Sequence, residues 1–168
     1  MVPQKDKAKK PAQVDKKIQE VLELSGNCAQ TSFITLQEVF DLGGEDIVKA
    51  LTAFPGIALR GETCGAVVGS MMAMGLVYGR NREQLNDYKR YLASLPSARK
   101  FCRAFEEEYG STMCGDIVEK QFGKRYNLAD PAEAMEWASQ GAIEKCSEVI
   151  STAVEIASEL IERKVKGE

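Results

Sequence analysis

Apolar positions recur at helical spacing along most of the chain. Val14, Ile18, Val21, Leu22 and Leu24 fall on one broad helical face that Ser25-Gly26 ends. Asn27 is a good N-cap for a second helix to about Phe40, with Phe33, Leu36, Val39 and Phe40 as its apolar positions. After the turn Asp41-Leu42-Gly43-Gly44, a short helix from Glu45 to about Phe54 is broken by Pro55-Gly56. Ile57 to Glu62 reads as an ordered loop leading to Thr63, a second N-cap, and a helix from Cys64 to about Tyr78.

That helix contains Gly65, Gly69 and Gly75. Each glycine costs a helix about 1 kcal/mol relative to alanine, so a close neighbour on that face is expected, most commonly another helix. Glu83 to Tyr109 is helical in composition, with an interruption expected near Pro96 and a stripe of Ala98, Phe101, Cys102, Phe105 and Tyr109. Ser111 is expected to cap a helix to about Phe122, with Gly123 as its stop. Asp130-Pro131 starts a last helix running to about Lys164, whose seam is Ala142, Cys146, Val149, Ala153, Ile156 and Leu160. No strand alternation, internal repeat or low-complexity linker intervenes. The pattern predicts an all-α protein, a single compact helical bundle of about six to eight helices over residues 14–168. A basic, disordered tail is expected over residues 1–13.

At 168 residues and 44% hydrophobic, the chain is long enough for one well-buried core. Net charge is −3, unevenly spread: residues 1–17 hold six lysines against Asp6 and Asp15, leaving an acidic body. An acidic body argues against nucleic acid as the main partner. The start lacks the apolar core of a secretory signal, and the longest apolar stretch, Cys64 to Gly79, is short for a membrane span. A cytoplasmic location, where thiols stay reduced, is therefore expected.

Histidine is absent. That excludes a Ser/His/Asp triad, a Cys/His nucleophile, a His-ligated haem and an imidazole proton shuttle. Gly61 to Gly69 lacks the Lys-Ser/Thr of a phosphate loop, so no nucleotide is expected. Glu106-Glu107-Glu108 reads as a solvated face, Arg60 and Glu62 as surface charges and Trp137 as helix packing.

Five cysteines remain. Cys28 follows Asn27, Cys64 follows Thr63 and Cys114 lies three residues after Ser111, so all three are expected in the first turn of a helix. There the free N–H groups and the positive dipole end favour the thiolate. Cys146 lies on the buried seam of the last helix, whereas Cys102, beside Ala98 and Phe105, reads as core filling. No CxxC pair occurs, so spacing alone is a weak metal signal, and any one cysteine could be a small buried hydrophobe.

The stretch Gly61-Glu62-Thr63-Cys64-Gly65-Ala66-Val67-Val68-Gly69 resembles the CGAxxG signature of the redox-active family named C_GCAxxG_C_C. That family has one cysteine before the motif and two after it. Cys28 in Asn27-Cys28-Ala29-Gln30 matches the first, Cys114 the third and Cys146 the last, over roughly Gln19 to Ile150. Cys102 falls outside the four. The resemblance implies a small helical protein whose four cysteines form a redox site. Related helical domains occur in haem proteins that carry an iron–sulfur site, but without histidine or CxxCH this chain takes no such haem.

Three functions stay open. In the first, Cys28, Cys64, Cys114 and Cys146 ligate an iron–sulfur cluster ([2Fe–2S] or [4Fe–4S]), or a zinc ion, for electron transfer with a redox partner protein. In the second, Cys28 with Cys64 and Cys114 with Cys146 act as dithiols of an oxidoreductase or redox sensor. In the third, the thiols are packing in a helical interaction module. Such a module could form a homodimer through Gly65-x-x-x-Gly69 or the last helix.

Overall fold

Eight right-handed α-helices form among residues 12–167, the part of the chain that the computed structural model describes. They are α1 (Ala12–Ser25), α2 (Cys28–Phe40), α3 (Glu45–Ala50), α4 (Gly65–Tyr78), α5 (Tyr88–Tyr109), α6 (Cys114–Phe122), α7 (Pro131–Ser139) and α8 (Ala142–Val165). Short 3-10 turns occupy Leu51–Ala53 and Arg82–Gln84. No strand occurs among the described residues beyond one isolated bridge, Thr63 to Met113. The expected all-α class is what the chain adopts. Most of the lysine-rich start lies outside the described residues. Lys16 and Lys17 belong to α1, paired with Glu20 and Glu38.

The core is built on α2, α4 and α8, with α1 and α5 packed alongside. Phe33 and Leu36 of α2 meet Ala66, Val67, Ala73 and Met74 of α4, and Val149, Ile150, Ala153, Val154, Ala157 and Ile161 of α8 close the cluster. Apolar side chains withdrawn from water at about 25 cal/mol per Å² hold this centre together. The glycines of α4 allow the approach. A Cβ at Gly69 would overlap the carbonyl oxygen of Ala29 and Ser32 Oγ, so α2 and α4 meet backbone to backbone. The small-residue face Gly65-x-x-x-Gly69 is thus used inside the chain and is not a free surface for a second copy. The α8 seam is used likewise, and its buried face includes Ile150, Val154, Ala157 and Ile161 as well as the expected residues.

Several boundaries differ from the sequence expectation. The last helix is two, because Gly141 takes φ 80, a left-handed conformation that ends α7 at Ser139 and starts α8. Asp87 caps α5, its side chain accepting from Arg90 N, and the helix continues past Pro96 without interruption. The short third helix stops at Ala50 and hands over to a 3-10 turn. Neither Thr63 nor Ser111 is a helix cap. Cys64 itself is the N-cap of α4, and Met113 precedes α6 while Ser111 Oγ accepts from its amide at 3.0 Å.

The segment after Pro55 is a left-handed turn. Gly56, Ile57, Ala58 and Leu59 take φ 52, 47, 57 and 62 in succession. Leu59 N donates to Pro55 O at 2.8 Å and Arg60 N to Gly56 O at 3.1 Å. For residues with a Cβ this hand costs roughly 1–2 kcal/mol each, so the surrounding contacts must hold the turn in place. It leads directly into the loop that carries Cys64.

Candidate functional site

Cys28 is the first residue of α2, placed by Asn27. The buried Asn27 Oδ1 accepts from the amides of Ala29 (3.1 Å) and Gln30 (3.0 Å), and its Nδ2 donates to Thr52 O at 3.0 Å. One side chain therefore caps α2 and ties it to the chain after α3. The Cys28 thiol lies against the first turn of α4. A Cβ at Gly65 would overlap Cys28 Sγ and come within 2.9 Å of Ala29 N and 3.2 Å of Pro55 Cα. Position 65 has no side chain because the Cys28 sulfur occupies that space.

Cys64 and Cys114 are joined through their backbones. Cys64 N donates to Thr112 O (2.9 Å), Cys114 N to Glu62 O (2.7 Å) and Gly115 N to Gly61 O (2.8 Å). These bonds set the Cys64 loop antiparallel to the entry of α6, around the bridge between Thr63 and Met113. Gly56, in the left-handed turn, backs onto the same place. A Cβ there would lie 3.4 Å from Cys114 Cβ and 3.5 Å from its sulfur. Cys146 comes from the second turn of α8, on its partly buried face.

The electrostatics show that these four thiols share one neighbourhood. Burial pushes the Cys28 thiol well above its ordinary value, and the thiols of Cys64, Cys146 and Cys114 push it further. Cys114 is raised to about 12 by burial and by Cys64. Cys146 is raised by burial, then by Cys64 and Cys114. Cys64 is raised by burial, with the amides of Ala66 and Val67 pulling the other way. Cys102 is raised by burial and then by Glu106, and none of the four contributes.

The helix-start argument for low thiol pKa values is thereby corrected. N-terminal amides do favour the Cys64 thiolate, but withdrawal from water outweighs them, and like charge adds to it at the other three. With nothing positive among them, all four are neutral thiols near pH 7, and all five cysteines are free. Among the described residues, no group of three or more Cys, Asp or Glu is closed into a shell that could hold a metal ion.

Sequence reasoning missed three supporting parts. The Pro55-Gly56 breaker and the ordered loop expected over Ile57 to Glu62 mark the spot, but nothing in those residues gives the left-handed turn that sets Gly56 against Cys114. Asn27 was read as a cap without its bond to Thr52. Tyr109, taken as part of an apolar stripe, is close enough to Cys64 for its phenol to be raised slightly by that thiol, burial being the main cause, and it shares a hydrogen bond with Thr152 Oγ1 at 3.1 Å. Cys102 packs against the edge of the core, as expected, and is half-buried there, so that it also forms part of the wall of an open groove with Met71 and Leu95.

Fold and site together define a helical protein with one buried neighbourhood of four thiols drawn from α2, α4, α6 and α8. The family model described as "Putative redox-active protein (C_GCAxxG_C_C)" matches residues 26–160, and the chain belongs to that family. An Archaeoglobus fulgidus protein described as uncharacterized is 31% identical over 143 residues, 82% of this chain and 85% of its own. No solved structure matches the chain significantly. No helix among the described residues is long and apolar enough to cross a membrane.

Proposed function

We propose that the protein transfers electrons through an iron–sulfur cluster ligated by Cys28, Cys64, Cys114 and Cys146. The observation that carries this reading is four thiols from four helix segments, Cys64 buried and Cys28, Cys114 and Cys146 half-buried, each within electrostatic reach of at least one other. Such a set is poorly suited to remain anionic on its own, and iron supplies the positive charge that displaces the protons. Number and kind of donor fit: four cysteines suit [2Fe–2S] or [4Fe–4S]. Gly65 fits as well, since it lets the backbone of α4 approach the Cys28 thiol where a Cβ would overlap it. A single zinc ion is a poorer fit. It needs all four sulfurs drawn in to about 2.3 Å around one ion, whereas a cluster spreads its four ligands over several iron atoms and asks less convergence of a set that is not closed into a single-ion shell.

A bound cluster supplies a centre that accepts and releases one electron at a time. The chain's part is to hold it. The amides at the start of α4 face the Cys64 sulfur and offset negative charge there. The α2–α4–α8 core fixes three of the four ligands against rigid helices. The bonds between 61–64 and 112–115 fix the spacing of Cys64 and Cys114.

Thiol–disulfide exchange is the second reading, favoured by the Cys28 sulfur lying at Gly65, next in sequence to Cys64. Against it, raised thiol pKa values leave little of the thiolate that attacks a disulfide. Anaerobic purification separates the two. The cluster reading expects brown protein with a broad visible band and with iron and acid-labile sulfide in proportion. A colourless, metal-free anaerobic preparation that does not take up iron and sulfide refutes it. A disulfide that then cycles with mild reductant favours the second reading.

A further inference from the structure

The exposed half of α5 is unlike the rest of the surface. Residues 88–93 are exposed on every side of the helix, with Tyr88 at 65% and Leu92 at 47%. Beyond them, Met71 of α4 and Leu95, Ala98, Arg99, Cys102 and Arg103 of α5 line an open groove of about 380 Å³. Its floor is apolar and its rim carries Arg99 and Arg103, with Glu106 close to Cys102 at one end. Residues 80–103 carry seven arginines and lysines against Glu83 and Asp87, a local +5 in a chain of net charge −3, which gives way to Glu106-Glu107-Glu108 in the last turn of the helix. Among the described residues, no ion pair engages Lys89, Arg99, Lys100 or Arg103.

We propose that this groove and its basic rim dock an acidic electron-carrier protein that presents an apolar side chain to the groove. The inference rests on the electron-transfer reading for the nature of the partner, but on this surface alone for its chemistry. Three observations select the occupant. A second copy docked through the same face would set +5 against +5, because a two-fold contact places each patch on itself. A bilayer is flat and a nucleic acid is polar where the groove is concave and apolar, so a protein with one protruding apolar residue fits better. The position also suits the site: α4 begins beside Cys64 and carries Met71 seven residues on, about 10 Å along the helix axis. Unpaired cations around an apolar centre steer an anionic partner and then seat it.

Binding is measured by calorimetry with purified acidic ferredoxin and flavodoxin as probes, using the full chain as isolated. Saturable one-to-one binding is expected at 20 mM NaCl, weakening at least tenfold at 300 mM. Arg99→Glu with Arg103→Glu should weaken it at least tenfold, Leu92→Asp several-fold, and Lys120→Glu on α6 little. All four positions are exposed, so these variants fold. Failure of both probes to bind at low salt overturns the proposal, as does binding indifferent to the double reversal. Self-association of the chain, or tight binding of anionic vesicles or single-stranded DNA lost in that same double variant, also overturns it. Because the readout needs no cluster, a colourless protein that still binds the carriers would sink the proposed function and leave the docking surface standing. A brown protein that binds neither would do the reverse.

Discussion

Gly65→Ala is the sharpest single test of how the thiol site is packed. In an open helical position this substitution stabilises by about 1 kcal/mol, because alanine loses less backbone entropy than glycine. At position 65 the new Cβ overlaps the Cys28 sulfur and lies 2.9 Å from Ala29 N and 3.2 Å from Pro55 Cα. Unstrained heavy-atom contacts sit at about 3.5–4.0 Å. The backbone of α2 would have to retreat by roughly half an ångström or more, and the Cys28 thiol further. Two of the three obstacles are main chain, so the side chain cannot simply rotate away. Overpacking of this kind costs about 1–3 kcal/mol, which exceeds the helical gain at the first position of α4. A net loss of up to about 2 kcal/mol follows.

Gly75→Ala is the internal control. It lies in the same helix with nothing within 4 Å of a new Cβ, and should stabilise by up to about 1 kcal/mol. Urea unfolding of the anaerobic protein reads both variants, and iron per chain is measured on the same samples. Gly65→Ala should lower the midpoint and the iron content together, whereas Gly75→Ala should raise the midpoint and leave iron unchanged. Equal midpoints and equal iron in the two variants would refute the reasoning, because only at Gly65 does the added Cβ meet neighbouring atoms.

Cys28→Ser, Cys64→Ser, Cys114→Ser and Cys146→Ser should each lose most of the iron, and Cys102→Ala none of it. Iron lost on changing Cys102 would show that the wrong four were chosen. Raised thiol pKa values mean that the metal-free protein holds these thiols protonated at pH 8. Iodoacetamide should therefore label Cys114 slowly there, with a rate climbing about tenfold per pH unit up to a pKa of about 12. A rate already on a plateau at pH 8 would contradict that direction. Ala58→Gly relieves one left-handed residue at φ 57, a gain of roughly 1–2 kcal/mol, less about 0.5–1 kcal/mol for the freer unfolded chain. A small rise in midpoint should result, and a fall would mean that the turn is held without strain.

Much of this fold is readable from residue spacing. Ile18 and Leu22 of α1, Phe33 and Leu36 of α2 and Val149 and Ala153 of α8 are buried where the apolar period puts them. The errors fall where local chemistry was ambiguous. Gly141 looks like any helix-interior glycine until its φ is known, and Pro96 is accommodated where a break was expected. Nothing in Ile57-Ala58-Leu59 announces left-handed backbone, since β-branched and bulky residues rarely adopt it. That conformation is imposed from outside, by the bonds that tie the following residues to the entry of α6.

The thiol site carries a further lesson about local and tertiary effects. From spacing, three cysteines at or near helix starts argue for stable thiolates, and Cys28 at the head of α2 and Cys64 at the cap of α4 do occupy such positions. A helix end contributes about 0.3–1 kcal/mol to an exposed charge. Gathering four thiols in a buried place opposes ionisation by more than that, as the rise of Cys114 to about 12 shows. The amides at the helix starts therefore do not make these cysteines acidic by themselves. Their effect adds to that of a positive group placed among the thiols, whose charge reverses the like-charge repulsion while the amides remain favourable. In that arrangement the features that suppress thiolate chemistry without metal are the ones that favour metal when it is bound.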